Sequence, residues 1–312
     1  MLKPEVSVPP SPRAGGNKMA PNAAQDGEQL AAQPGDGGLS ERELKRVARF
    51  IGDAVGIQLP DSKKILVEGR LRRRLRKLGY SCFKQYLDFV LDDPRGKDER
   101  LHLIDVLTTN KTDFFREPEH FDYLINQALP ELDKQRIKAG RADIKLWSAG
   151  CSTGEEPYTL SIVMNEAMPQ FPGMRFQILA TDISHSCLQT GKRGVYTEKN
   201  IEPVPMELRK KYFLRSRDRR SELVQMGPDL RQRITFQELN LMDEQFSLPH
   251  MMDVIFYRNV MIYFNNEIRE RLVAKFERQL HPGGYLFVGH SESLNAIDSS
   301  LEQVAPMVYR KG

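Results

Sequence analysis

No apolar run in this chain of 312 residues approaches the roughly 20 residues that a membrane span needs. No basic stretch followed by an apolar one opens it, so no secretory signal is expected. The three cysteines, Cys82, Cys151 and Cys187, are odd in number and lack metal-ligand spacing. They argue for a reduced, cytoplasmic setting and against a disulfide framework or a zinc module. The six histidines show no ligand spacing either, and no metal is expected. A formal net charge of +4 is too small to choose a partner class. Also absent are G-x-x-x-x-G-K-[ST] and G-x-G-x-x-G, the backbone cradles of nucleoside polyphosphates and dinucleotides.

What is present falls into three stretches. Residues 1–38 are rich in Pro, Gly, Ala, Asn and Gln without apolar periodicity, and read as a disordered tail. Order begins at "LSEREL", where Ser40 and Glu43 form a capping box ahead of Leu44, Val47, Phe50, Ile51 and Val55 at helical spacing. A second helix is expected from about Ser62 to Leu78, stopped by Gly79. A third, capped by Ser81, is expected over Phe83–Leu91, and a fourth over Leu101–Leu107. Residues 39–107 thus read as a small all-helical domain. From about residue 142, strands ("IKLWSAG", "FQILATD", "MDVIFYRNV", "GYLFVG", "MVYR") alternate with helices (Glu155–Met168, Glu267–Leu280). That rhythm predicts an α/β domain over 108–312 built on a parallel, doubly wound sheet. Residues of about 193–237 break it and read as an inserted antiparallel subdomain that includes "ELVQM" and "RITF".

The first strand runs into a glycine turn, "LWSAGCSTGEEPYTL" over residues 146–160. In an open α/β sheet this is where ligands bind. The turn holds no lysine, and Glu155 and Glu156 follow at once, so a polyphosphate would be repelled. A cationic ligand would not. S-adenosylmethionine satisfies both conditions: its ribose takes a carboxylate and its ammonium pairs with one. Asp182, ending "ILATD", stands where such sheets place an acid on ribose hydroxyls; capping the next helix is the alternative. Two further stretches are unusually polar for their surroundings. "LTTNKTDFFRE" sets Thr109, Asn110, Thr112 and Arg116 beside Phe114 and Phe115, and "FYRNVMIYF" carries Arg258, Asn259 and Tyr263.

Taken in order, "RLRRRLRKLG", "LTTNKTDFFREPEHF", "WSAGCSTGEEPY", "ATDIS", "YRNVMIYF" and "PGGYLFVGHSE" resemble the chemotaxis receptor methyltransferases, the CheR family, over residues of about 40–310. The resemblance implies a Rossmann-like methyltransferase sheet with a helical N-terminal domain and an inserted antiparallel β-subdomain. It further implies a protein-glutamate O-methyltransferase using S-adenosylmethionine. Family cofactor contacts fall on Asn110, Thr112, Arg116, Glu156, Asp182, Asn240, Leu241, Arg258 and Asn259, beside Gly150 of the turn. Tyr263 matches the tyrosine beside the reacting methyl, and Arg116 and Tyr263 are the candidate catalytic pair. The choice of Glu156 over Glu155, and of Asn240 and Leu241, comes from the resemblance alone.

Arg70, Arg73, Arg74 and Lys77 recur at intervals of three and four, so they share one helical face. The implied partners are the acidic helical cytoplasmic domains of methyl-accepting chemotaxis receptors, met by a monomeric enzyme that approaches the membrane only through them. In some relatives the inserted subdomain grips a receptor C-terminal peptide with a glycine-containing loop; here that loop is "RSRDRRSE", which argues against such tethering. One alternative is a nucleic-acid methyltransferase, but no Asn/Asp-Pro-Pro-aromatic motif marks a pocket for an extruded base and no aromatics interleave the basic run. A non-catalytic S-adenosylmethionine-sensing adaptor is the other.

Overall fold

The computed structural model describes residues 37–218 and 220–312; the tail expected over 1–38 lies outside these but for its last two residues. The first helix, α1 (Glu41–Val55), starts at the expected capping box: the Glu43 amide donates to Ser40 Oγ and the Ser40 amide to Glu43 Oε2. After a 3-10 turn, α2 (Lys64–Leu78) ends at Gly79, whose φ of 76° is the left-handed conformation that terminates helices. Next, α3 (Phe83–Leu87) continues as a π-helical turn over Asp88–Asp92. Its N-cap is Cys82, not Ser81, whose hydroxyl instead meets the Gln85 side chain. The helical layer closes with α4 (Lys97–Leu107). Leu44, Val47, Ile51 and Val55 of α1 pack on Val67, Leu71 and Leu75 of α2 and on Leu103 and Ile104 of α4.

A short helix, α5 (Glu119–Tyr123), a π turn over Leu124–Ala128 and α6 (Leu129–Lys138) come next. The sequence reading placed no helix here. The buried residues Phe121, Leu124, Ala128, Leu129 and Leu132 nonetheless recur at helical spacing and form one apolar stripe, so the local signal for a helix is present in the sequence.

The remainder is α/β: β1 (Asp143–Ala149), α7 (Glu155–Ala167), β2 (Arg175–Asp182), α8 (His185–Arg193), β3 (Val195–Thr197), α9 (Met206–Tyr212), β4 (Phe213–Arg215), β5 (Leu223–Met226), α10 (Pro228–Arg231), β6 (Ile234–Glu238), β7 (Met252–Tyr257), α11 (Asn266–Gln279), β8 (Leu280–Val288), β9 (Glu302–Ala305) and β10 (Val308–Arg310). Seven strands form one sheet in the order β6-β2-β1-β7-β8-β10-β9. Its first five are parallel, and β10 and β9 close one edge antiparallel. Alternate side chains of the central strands enter different cores. Ile144, Leu146, Val254 and Phe256 face the α5–α7 side, while Trp147, Ala149, Ile255 and Tyr257 face α11. Burial on both faces is why these strands read as continuous apolar runs.

The inserted piece is a three-stranded antiparallel sheet, β3-β5-β4, which takes in "ELVQM" but not "RITF". The latter is β6, parallel to β2 on the main sheet, with Ile178 opposite Ile234 and Asp182 opposite Glu238. A short strand just after an insertion carries no periodicity that would assign it to either sheet. Among the described residues no helix is long and apolar enough to cross a membrane.

Candidate active site

From β1 the chain goes outward to β2 and β6 and then returns to β7 on the other side of β1. At that reversal the connections leave in opposite directions and open a crevice beyond the C-terminal ends of the strands. Each parallel strand around it delivers a residue: Gly150 after β1, Asp182 at the end of β2, Asn240 and Leu241 after β6, Arg258 and Asn259 after β7. These line a single cleft together with Asn110, Thr112, Arg116, Glu156 and Tyr263. Val55 and Ile57, at and just beyond the end of α1, also line it, so the helical layer supplies apolar wall. The junction is fastened by Asn240, whose Nδ2 donates to the Ala54 carbonyl at 2.8 Å, and by the Gln58 amide on the Tyr263 carbonyl at 2.9 Å.

The two turn glycines differ. Gly150 lines the cleft at φ 83°, and a Cβ there would meet Val260 Cγ2 at 2.6 Å. Gly154, at φ 98°, does not line it; its missing Cβ makes room for Gly191 and the Tyr196 hydroxyl, each at 3.0 Å. Of the two, only Gly150 brings its backbone to the cleft, and Gly154 serves packing at the start of α7. The two glutamates divide in the same way. Glu155 is buried off the cleft, bonded to Thr153 Oγ1 at 2.6 Å. Glu156 lines the cleft, accepting from Ser148 Oγ at 2.7 Å and facing Arg258 Nη1 at 3.6 Å.

Asp182 does not cap α8. Ser184 does, accepting from the Cys187 amide. The Asp182 carboxylate instead accepts the Ser152 amide at 2.7 Å and the Ser184 amide at 2.8 Å, which ties the glycine turn to the end of β2. The Ile183 amide also favours the ionised form, and the carboxylate keeps lone-pair capacity for a hydroxyl donor. Burial pushes the Asp182 and Glu156 carboxyls above their ordinary values, opposed at Asp182 by the backbone amides and at Glu156 by Arg258 and Ser148. Two half-buried carboxylates share one cleft, and a cationic, hydroxyl-bearing ligand would suit both.

The sequence reading missed Glu117 and Glu292. Arg258 is buried and lies between Glu156 and Glu117, with Nη2 at 3.1 Å from Glu117 Oε2 and a further bond to the Arg116 carbonyl. Asn259 Nδ2 donates to Glu117 Oε1 at 3.2 Å. Burial raises the Glu117 carboxyl, but Arg258, Asn259 and the His290 amide more than reverse it, so the net shift is downward. Glu292 is buried and accepts the amides of Asn259 (2.6 Å), Gly289 (2.8 Å) and Ile262 (3.2 Å). It thereby clamps the segment that carries Asn259 and Tyr263. Both acids stood inside quoted motifs, but carboxylates 141 and 33 positions from their partners have no spacing signal. Five non-glycine residues among those described have positive φ, and four of them, Phe115, Glu117, Ser152 and Asn259, sit in the loops around the cleft. Strain of this kind collects where a site must be held open in one geometry.

The basic face of α2 is less uniform than its spacing suggested. Arg74 pairs through Nε and Nη2 with Glu99, its side chain 12% exposed. Arg70 donates to the carbonyls of Val106, Leu107 and Thr108 at the end of α4. Arg73 and Lys77 are exposed. All four nonetheless line one open groove, and Thr108 lines both that groove and the cleft.

This arrangement defines a methyltransferase domain that binds S-adenosylmethionine, and the comparisons agree. Residues 110–309 match the family model described as "CheR methyltransferase, SAM binding domain", and residues 42–108 the "CheR methyltransferase, all-alpha domain". The chain belongs to the CheR methyltransferases. It is 38% identical over 274 residues to the chemotaxis protein methyltransferase of Borreliella burgdorferi, covering 88% of this chain and 95% of that one. With the chemotaxis protein methyltransferase of Escherichia coli (strain K12) it shares 34% over 271 residues, 87% and 91% of the two chains. Among solved structures, the glycopeptide N-methyltransferase MtfA is similar at a TM-score of 0.31 and 16% identity, over 62% of this chain and 71% of that one, a likeness too slight to bear on function.

Proposed function

We propose that this methyltransferase transfers the methyl group of S-adenosylmethionine to glutamate side chains of chemotaxis receptors. The observation that carries the reading is the pairing of an acid-lined cofactor cleft with an adjoining basic groove, which suits a cationic donor and an anionic acceptor. In the cleft, Asp182 would take the ribose hydroxyls and Glu156 the ammonium, with Asn110, Thr112, Asn240, Leu241, Arg258 and Asn259 completing the enclosure. The bound cofactor supplies an electrophilic methyl on a sulfonium. A glutamate acceptor, with a pKa near ~4.3, is already ionised at neutral pH and needs no general base. No metal is required by this chemistry.

The protein's task is then to align and to attract. Well-oriented partners gain effective molarities of ~10⁵–10⁸ M. Arg116 lines the cleft, where its Nη1 donates to the Lys111 carbonyl at 3.3 Å, and it would orient the incoming carboxylate. Tyr263 would shape the methyl pocket. The exposed Arg73 and Lys77 would meet the acidic receptor helix, in a cytoplasmic encounter.

Labelled S-adenosylmethionine, incubated with the enzyme and receptor-containing membranes, should leave label that alkali releases as volatile methanol, the mark of a carboxyl ester. Arg116→Ala should lose most of that release while still binding S-adenosylhomocysteine. Label that survives alkali would sink the carboxylate reading in favour of nitrogen or nucleic acid as acceptor.

A further inference from the structure

His120, at the start of α5, is 1% exposed, and neither ring nitrogen has a hydrogen-bond partner. A buried imidazole left unsatisfied is costly and calls for an explanation. Its Nδ1 is 3.5 Å from Glu117 Oε2. The ring of His290, just beyond β8, stands edge-on to it with centroids 5.4 Å apart. One ligand atom from each of the three residues lies within 4.8 Å of the other two. With metal bonds of about 2.0–2.2 Å, the ligand atoms of a tetrahedral site are about 3.4 Å apart. Glu117 and His120 already have that spacing, and His290, whose side chain is 55% exposed, lies within 4.8 Å of both and is free to close on them.

We propose that Glu117, His120 and His290 form a site for a borderline divalent ion such as Zn²⁺, and that its occupancy is coupled to the cofactor cleft. Two imidazoles and one carboxylate favour zinc, cobalt or nickel over magnesium or calcium, which prefer oxygen alone. Glu119 contacts Nε2 of His290 and can orient that ring through its second nitrogen, as carboxylates do for ligating histidines. The ion stays off the methyl-transfer path. Coupling arises because Glu117 is shared: its Oε2 faces both His120 and Arg258, and its Oε1 holds Asn259. An ion that draws Oε2 toward the histidines competes with Arg258, a residue of the cleft wall. The coupling rests on the cofactor reading above; the metal site does not.

The full chain, carrying no histidine tag and stripped with a chelator, should be titrated with Co²⁺ by visible absorption and with Zn²⁺ by calorimetry. One equivalent should bind, with the visible bands of a four-coordinate site. His290→Ala, at an exposed position that leaves the core intact, should weaken binding by about tenfold or more. His250→Ala, an exposed histidine elsewhere, should not change it. Saturating Zn²⁺ should shift S-adenosylhomocysteine affinity by about fivefold or more in the parent chain and not in His290→Ala. Absence of saturable one-to-one binding, or binding that His290→Ala leaves untouched, would overturn the site. Tight binding without any shift in S-adenosylhomocysteine affinity would overturn the coupling.

Discussion

Glu155 and Glu156 are chemically identical neighbours, and one helical step of 100° sends them to different environments. Glu155 folds back on Thr153, whereas Glu156 reaches the cleft beside Arg258. Burial holds the Glu156 carboxyl above its ordinary range, while an ammonium pairs only with the ionised form. On the acid side, affinity for S-adenosylhomocysteine should therefore decline as pH falls through that raised pKa, beginning above the ~4.3 of a free glutamate. Glu156→Gln should weaken binding about tenfold or more, the worth of a charge-assisted hydrogen bond, and flatten the profile. Calorimetry from pH 8 to 5 reads both effects, and a variant that binds normally would remove Glu156 from the cofactor's contacts. Asp182 was legible in the sequence because a strand end fixes where its side chain emerges. Glu117 was not, because its meaning lies in Arg258 and Asn259, which reach it only when β7 lies beside the loop that carries it.

At the scale of the element, α2 does two jobs that its spacing could not separate. The pattern Arg70, Arg73, Arg74, Lys77 describes one face correctly, but α4 packs along part of it. Arg74 and Glu99 form a largely buried pair that Tyr86 Oη joins at 2.9 Å. Breaking such a pair by removing one partner costs about 3–5 kcal/mol. Arg74→Ala should lose about 3 kcal/mol in urea unfolding, with Arg73→Ala within ~0.5 kcal/mol of the parent. Equal, small losses would show that the pair is worth no more than a surface contact. The same contrast runs through the other elements. The first helix was readable to its capping box because capping is local, and α5 and α6 carry a signal of the same local kind, since Phe121, Leu124, Ala128, Leu129 and Leu132 recur at helical spacing. The edge strand β6 was credited to the wrong sheet because its identity is its hydrogen-bonded neighbour β2.

For the whole molecule, a net charge of +4 says little, but its distribution places Arg73 and Lys77 in a groove that shares Thr108 with the cleft. Encounter with an acidic receptor helix should then be steered electrostatically and screened by salt, with a Debye length of about 10 Å at 0.1 M falling to about 3 Å at 1 M. The initial rate of receptor methylation should drop several-fold between low and high salt. In an Arg73→Ala/Lys77→Ala double variant the low-salt rate should be lower and the salt slope shallower, while S-adenosylhomocysteine binding stays unchanged. A parent rate indifferent to salt would remove steering from the account.

What the amino-acid sequence determined by itself is everything set within a few residues. That includes the capping box of α1, the glycine stop of α2, the alternation of strands and helices, and the absence of lysine from a glycine turn followed by two acids. Each of these follows from backbone geometry or local charge and needs no distant partner. The tertiary structure alone decided which of two glutamates faces the cleft and which arginines of α2 remain exposed. It alone brought Glu292 onto the Asn259 amide. It also set His120 beside His290, two histidines that show no ligand spacing along the chain. Those relations join positions far apart in sequence, and only the packing of the sheet against its loops and helices puts them within bonding distance.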